Sequence, residues 1–124
     1  MAAPNIVGVA TLTGISTTRA LTVVPEVVVA NTVGSNRVYK INTILIANMD
    51  GSSSADVNVR YHPHSPTGAG TSFAIASTVA VAADSTLVTI DRASSWYLEE
   101  GQSLVAYASA SGDLDCLCSY EIIQ

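Results

Sequence analysis

Hydrophobic and polar positions alternate along much of this chain with a period of two residues. The alternation is clearest between Asp56 and Tyr61, where two valines and a tyrosine alternate with aspartate, asparagine and arginine. Successive side chains of a β-strand point to opposite faces, so this pattern predicts a strand that is buried on one face. Val57 and Val59 are expected to point into the core.

Short runs rich in valine, isoleucine and threonine recur along the rest of the chain, and turn-forming residues separate them. The other predicted strands cover residues 5–13, then 19–24 and 26–32 as one or two strands, and 38–49, 72–81, 85–91, 96–98, 103–109 and 114–123. Turns are predicted at residues 14–18, 34–36, 50–51, 99–101 and 111–113, and a loop at 62–70. For residues 72–82 a helix is the alternative, because alanine favours helices; the β-branched residues around it favour a strand.

Eight or nine short strands joined by turns predict an all-β fold, a single antiparallel β-sandwich or jelly-roll-like domain of about eight strands. An immunoglobulin-like sandwich is equally open at this stage. A length of 124 residues fits one domain covering residues 1–124. The predicted core consists of apolar positions in the strands: Ile41, Leu45, Val57, Val59, Phe73, Leu87, Leu98, Leu104, Ala106, Cys118 and Tyr120.

The first 35 residues are less regular than the rest of the chain. They are interpreted either as an arm that reaches onto a neighbouring subunit or as edge strands of a first sheet. An arm of this kind would close a sheet edge that otherwise invites aggregation.

Composition points to association with other protein subunits. Only 12% of the residues are charged and 48% are hydrophobic, whereas an ordinary domain carries about 25% charged residues. One modest core cannot hide all of this apolar surface, so we expect burial between subunits, in a homo-oligomer. The net charge is -5 and no basic patch is present, which argues against direct contact with nucleic acid.

The sequence contains no pattern typical of export or of a membrane span. Residues 1–5 lack the positive stretch that precedes the apolar part of a signal peptide. The most apolar segment, residues 21–30, is interrupted by Pro25 and Glu26 and is too short to cross a bilayer. Cys116 and Cys118 lie two apart in a predicted strand, so their side chains share a face and are expected to be reduced, half-buried thiols. We expect a protein made in a cytoplasm.

Candidate catalytic and metal-binding residues are weak in this chain. His62 and His64 flank a proline in a predicted loop, and a closed metal site would need two further ligands. No nucleophile elbow of the form Gly-x-Ser-x-Gly surrounds a serine. The prediction is therefore a non-enzyme without a metal site or cofactor. Trp96 and Tyr97 could stack on a sugar, but with so few aromatic residues in the chain they are better interpreted as core or interface anchors.

Several segments resemble small virion structural proteins of tailed bacteriophages, in particular those of cyanophages. They are the segments 79–84 and 86–88, Trp96 through Leu104, Cys118 through Glu121, Tyr39 through Asn42, and Asn48 through Gly51. The resemblance extends from about Val38 to the C-terminus, and its motifs have no catalytic content. It implies a structural protein that is present in many copies in a virion.

Among such proteins, head decoration or cement proteins are the first expectation. The resemblance implies a β-rich protein, often a homotrimer, on the capsid exterior, where it binds and stabilises the major capsid protein lattice after assembly in the host cytoplasm. The predicted interface residues are Ile6, Val7, His62, His64, Trp96 and Tyr97. The alternatives are a tail or neck connector, and a fibre-type adhesin that binds host surface glycans through Trp96, Tyr97 and the loop at residues 62–70.

Overall fold

The structure, a computed structural model, describes residues 11–65, 67–68 and 70–124. Within these residues the chain forms nine strands and a single-turn 3-10 helix over Arg92–Ser94. The strands are β1 Leu12–Ala20, β2 Glu26–Ala30, β3 Val38–Asn48, β4 Ala55–His62, β5 Phe73–Val81, β6 Thr86–Ile90, β7 Trp96–Leu98, β8 Ser103–Ala108 and β9 Leu114–Ile123. No helix in the described part of the chain is long and apolar enough to cross a membrane.

The strands form two antiparallel sheets that pack face to face, which confirms the predicted β-sandwich. Sheet 1 has the order β1-β9-β3-β6, with the short β7 also paired to β3. Sheet 2 has the order β2-β8-β4-β5. The first strand thus pairs with the last, β2 with β8, β3 with β6 and β7, and β4 with β5. A long hairpin that folds over on itself pairs its strands in this nested order, and this order is the jelly-roll topology. The immunoglobulin-like alternative therefore does not apply.

The core lies between the inner faces of the two sheets. Ile41, Ile44 and Ile46 contribute to it from β3, while Val57 and Val59 contribute from β4, as the alternation predicts. All five side chains are at most 2% exposed. Burying a valine or isoleucine side chain stabilises the fold by roughly 1.5–3 kcal/mol, so these two central strands supply a large share of the driving force for folding.

Two buried asparagines connect strand ends within the sandwich. Asn48, at the end of β3, donates hydrogen bonds from Nδ2 to the carbonyl oxygens of Ser53 and Val81, at 3.0 and 2.9 Å. Asn31, just after β2, donates from Nδ2 to the carbonyl oxygens of Arg37 and Leu98, each at 3.0 Å. A buried amide that satisfies two carbonyl groups removes the cost of burying them unpaired, so both residues fix how the loops close over the core.

The structure corrects the sequence analysis in four places. Residues 21–24, predicted as part of a strand over 19–24, lie outside the strands, because the Thr22 hydroxyl bonds to the backbone of Val24 and turns the chain between β1 and β2. Residues 14–18, predicted as a turn, are the middle of β1, because β9 offers a partner strand that pairs with all of β1 without a register shift. Leu45, predicted in the core, lies on the outer face of sheet 1, opposite Leu117 and Val88. Phe73, also predicted in the core, is 57% exposed at the beginning of an edge strand.

Candidate interaction surface

An open groove lies on the outer face of sheet 1 and has a volume of about 430 Å³. The four strands of this sheet that line it contribute mostly small or apolar residues: Thr18, Arg19 and Ala20 from β1, Asp115, Cys116 and Leu117 from β9, Leu45 and Ala47 from β3, and Thr86 from β6. Arg19 and Asp115 are the only charged residues among them. The groove is therefore a surface that loses little hydration energy when a partner covers it.

A row of cross-strand neighbours forms the centre of this surface. Leu117 on β9 lies opposite Thr18 on β1 and opposite Leu45 on β3, and Leu45 lies opposite Val88 on β6. Leu117 is 37% exposed and Val88 is 53% exposed. Leu117, Leu45 and Val88 are therefore three adjacent apolar side chains on the outer face of sheet 1 and form a small contiguous apolar patch.

The outer face of sheet 2 is different, because its polar side chains find partners within the chain. Arg60 donates hydrogen bonds from Nε to the Ser72 hydroxyl at 2.6 Å and from Nη2 to the Ser72 carbonyl at 3.1 Å. Asn58 accepts a hydrogen bond at Oδ1 from the N–H of Thr78, at 2.9 Å. Arg60 and Asn58 therefore have hydrogen-bond partners on this face without a second chain.

The predicted aromatic pair does not form a shared surface. Trp96 is half-buried and packs edge-on against Tyr61, with ring centroids 6.1 Å apart and planes at 71°. Tyr97, the next residue in β7, is 42% exposed. Adjacent residues of a strand point to opposite faces, so the two rings cannot lie side by side against one sugar.

Gln102 organises the end of the sandwich beside Trp96. Its Oε1 accepts hydrogen bonds from the Tyr61 hydroxyl at 2.9 Å and from the Glu99 N–H at 2.8 Å, while Nε2 donates to the Pro63 carbonyl at 3.3 Å. Burial, and then the nearby charge of Glu99, raise the pKa of Tyr61. These bonds hold the beginning of the 62–70 loop against the β7–β8 turn, which suits a fixed structural role for Tyr61.

The predicted histidine pair lies at the end of β4 and in the loop that follows it. His62 is the last residue of β4 and is half-buried, while His64 is exposed. Nearby, the Gly68 N–H donates a hydrogen bond to the Ser103 hydroxyl at 2.8 Å, which anchors the loop to sheet 2. Among the described residues no group of three histidine, cysteine, aspartate or glutamate side chains is placed to hold a metal ion.

The remaining predicted interface residues, Ile6 and Val7, lie outside the described residues. The sequence analysis missed the apolar row formed by Leu117, Leu45 and Val88. Its signal was present, since Leu45 and Val88 belong to apolar runs in which alternate residues must face outward. Nothing local says which residues of a run face the core, because that depends on the register with neighbouring strands.

Both cysteines are free and buried in the core, on the inner face of β9. Burial raises the pKa of Cys116 to about 11, against a smaller lowering by Arg19, and raises that of Cys118 to about 12. A thiol that reacts with another subunit needs to be accessible and deprotonated. Neither cysteine meets these conditions.

Comparison with known proteins finds a likeness in fold to a solved structure. No protein-family model matches the chain, and no curated protein matches it. A chain from a solved structure described as "Bacillus endospore appendages form a novel family of disulfide-linked pili" superimposes with a TM-score of 0.54 at 12% sequence identity. The match covers 100% of this chain and 96% of the appendage chain. At 12% sequence identity the likeness concerns the fold alone.

Proposed function

We propose that this protein is a structural subunit of a bacteriophage virion, present in many copies, and that it acts as a capsid decoration or cement protein. The observation that carries the proposal is the apolar row and groove on the outer face of sheet 1, a surface suited to docking on a protein lattice. The resemblance of the segments between Val38 and Glu121 to phage virion proteins supplies the phage setting. The appendage protein with the same overall fold is itself part of a repeated assembly.

The proposed mechanism is stabilisation of one lattice state by binding. A subunit that binds the expanded major capsid protein lattice, and not the unexpanded one, shifts the equilibrium toward expansion by mass action. A standard interface buries about 1,600 Å² in total, and multiple attachment points on one particle raise the overall avidity further. In this proposal the protein lies on the capsid exterior as a homo-oligomer and needs neither a cofactor nor a covalent link.

Non-covalent assembly follows from the position of the cysteines. The appendage pili are described as disulfide-linked, whereas Cys116 and Cys118 are the only cysteines of this chain and both are buried. In this proposal the contacts between subunits are non-covalent.

The test is binding to expanded shells assembled from the major capsid protein. We expect many copies per shell in co-sedimentation, and a higher shell melting temperature by differential scanning calorimetry. Leu117→Lys should lower occupancy at least several-fold, because a lysine would have to be buried against the lattice. Val27→Lys on β2 is the matched control, since Val27 is also 37% exposed. Saturation by the wild-type protein with no effect of Leu117→Lys would move the contact to another face.

A tail or neck component is the second candidate, and the likeness to a pilus subunit favours it. Such a protein would form a ring of six or twelve subunits or a filament and would not bind the shell. Analytical ultracentrifugation and electron microscopy of the purified protein separate this result from cementing. A fibre-type adhesin is a third possibility from the sequence, but the opposed orientations of Trp96 and Tyr97 remove the sugar platform on which it depends.

A further inference from the structure

The free edge of β1 differs from the other strand edges of the sandwich. β1 is nine residues long and pairs with β9 from Leu12 to Ala20 without a register shift. It contains no proline and no lysine, and its one charged residue, Arg19, contacts Glu26 of the same chain at 2.6 Å. Bulges, prolines, lysines and short length are the devices that keep edge strands from pairing with other chains. β1 uses none of them.

The other three edges each show such a device. β2 has five residues, follows Pro25 and has a register shift between Val27 and Val29. β5 has two register shifts against β4. On the far side of sheet 1, β6 and β7 have five and three residues and are separated by the 3-10 turn. Among the described residues, β1 is therefore the one edge that is both long and free of register shifts, and a second copy of this chain presents the same regular edge to it.

The hydrogen-bond pattern identifies which groups of β1 are available. Thr11 and Gln124 exchange both of their backbone hydrogen bonds, at 3.0 and 3.1 Å, and the Leu21 N–H donates to the Leu114 carbonyl at 2.9 Å. In an antiparallel ladder the bonded residues alternate, so the odd-numbered residues of β1 bond to β9. The N–H and C=O groups of the even-numbered residues point to the free edge: Leu12, Gly14, Ser16, Thr18 and Ala20.

We propose that two copies of this chain pair through β1, antiparallel about a two-fold axis at Ser16, so that two five-stranded sheets join into one continuous sheet. This places Ser16 opposite the partner's Ser16, Gly14 opposite the partner's Thr18, and Leu12 opposite the partner's Ala20. Every free N–H and C=O of the edge then has a partner. The side chains agree with this register: Ile15 lies opposite the partner's Thr17, a favourable β-branched pair, and no charge meets a like charge.

This inference rests on the fold and is independent of the capsid role. Its test uses the self-pairing of position 16. Ser16→Lys and Ser16→Glu each place two like charges opposite each other on the axis, so each should raise the dimer dissociation constant by about tenfold or more. A mixture of the two variants places lysine opposite glutamate and should restore the dimer. Ser119→Lys is the matched control, because Ser119 is the β9 neighbour of Ser16 on the same outer face but is not at the edge.

The measurements are sedimentation velocity and native mass spectrometry, with circular dichroism to confirm that each variant is folded. The inference requires a wild-type dimer, loss of the dimer in each single-charge variant, and heterodimers in the mixture. A wild-type monomer would overturn it, as would an oligomer of any size that Ser16→Lys leaves intact, or a mixture that fails to form heterodimers. Shell binding by Ser16→Lys is measured separately, so failure of the capsid proposal would be visible even if β1 pairing holds.

Discussion

Two edge strands of equal length, β1 and β5, differ in the regularity of their backbones. Each has nine residues. β1 pairs with its neighbour in perfect register, while β5 shifts register twice against β4. Within β5, Thr78 has a φ of 51°, a conformation that a β-branched residue rarely adopts, and its N–H bonds to the Asn58 side chain instead of the β4 backbone.

The difference indicates that exposed apolar side chains alone do not allow an edge strand to pair with another chain. Each edge exposes one large apolar side chain at its beginning, since Leu12 of β1 is 59% exposed and Phe73 of β5 is 57% exposed. The irregular backbone of β5, however, cannot offer a row of evenly spaced donors and acceptors to another strand. β1 exposes mainly small and polar side chains on a regular backbone, which is the combination that allows pairing with a second chain. The two edges can be tested separately, because β1 pairs with β9 in sheet 1 and β5 pairs with β4 in sheet 2.

The largest loss of stability is expected from a charge placed in the core on β4, the strand beside β5. Val57 is 0% exposed and lies opposite Val79 of β5. Val57→Asp should unfold the chain at 25 °C, because an unpaired buried carboxylate costs several kcal/mol against a typical total stability of about 5–15 kcal/mol. Val79→Asp, at a position that is 36% exposed, should remain folded. Circular dichroism and urea denaturation compare the two; a stable Val57→Asp protein would contradict the strand assignment. Leu104→Asp, in β8 and 1% exposed, should behave like Val57→Asp.

Proline substitution in β1 distinguishes its paired edge from its free edge. Thr17 lies opposite Cys118 in the bonded set, so Thr17→Pro removes a ladder hydrogen bond and should lower the free energy of unfolding by about 2–3 kcal/mol. Ser16→Pro removes an N–H that points away from β9 and should cost clearly less, since edge strands tolerate proline there. Urea denaturation at high dilution avoids any contribution from self-association. Equal losses would show that the alternation along β1 is assigned incorrectly.

The two cysteines on β9, the strand beside β1, are expected to make the protein less stable at alkaline pH. Their pKa values are raised in the folded chain to about 11 and about 12, whereas an unfolded cysteine has a pKa near about 8.5. The folded chain then holds protons that the unfolded chain releases, so this contribution is complete below about pH 8.5 and is lost as pH rises toward the folded values. We expect the urea concentration at the unfolding midpoint to decrease as the pH is raised from 9 to 11.

The double variant Cys116→Val and Cys118→Val supplies the control for this pH effect, because valine keeps the apolar character and does not titrate. The midpoints of the variant should fall less steeply over the same pH range. Tyr61 and Tyr120 also have raised pKa values, and they contribute the part of the slope that remains. If the urea midpoints of the two proteins changed equally with pH, the thiols would not be the source of the pH dependence.

The smallest effect is expected from the ion pair that joins β1 to β2. Arg19 Nη1 and Glu26 Oε2 are 2.6 Å apart, and the side chains are 41% and 36% exposed. Pairs this exposed contribute about 0.2–1 kcal/mol and are screened by salt. Glu26→Gln should lower the free energy of unfolding by at most that amount in dilute buffer and have almost no effect in 1 M NaCl. A larger loss that persists in salt would indicate that the glutamate has a packing role.

Alternation and turn residues are local properties of the chain, so the sequence predicted the strand class, most strand positions and the inward-facing residues of β4. It also predicted that the two thiols share one face of β9, although it expected them to be half-buried and they are buried. Three features became visible in the folded chain alone: residues 14–18 continue β1, Leu45 faces outward beside Leu117, and β1 and β5 are edges of different character. Each of them depends on which strand lies alongside and in what register, and pairing with a strand elsewhere in the chain leaves no periodic trace in either segment.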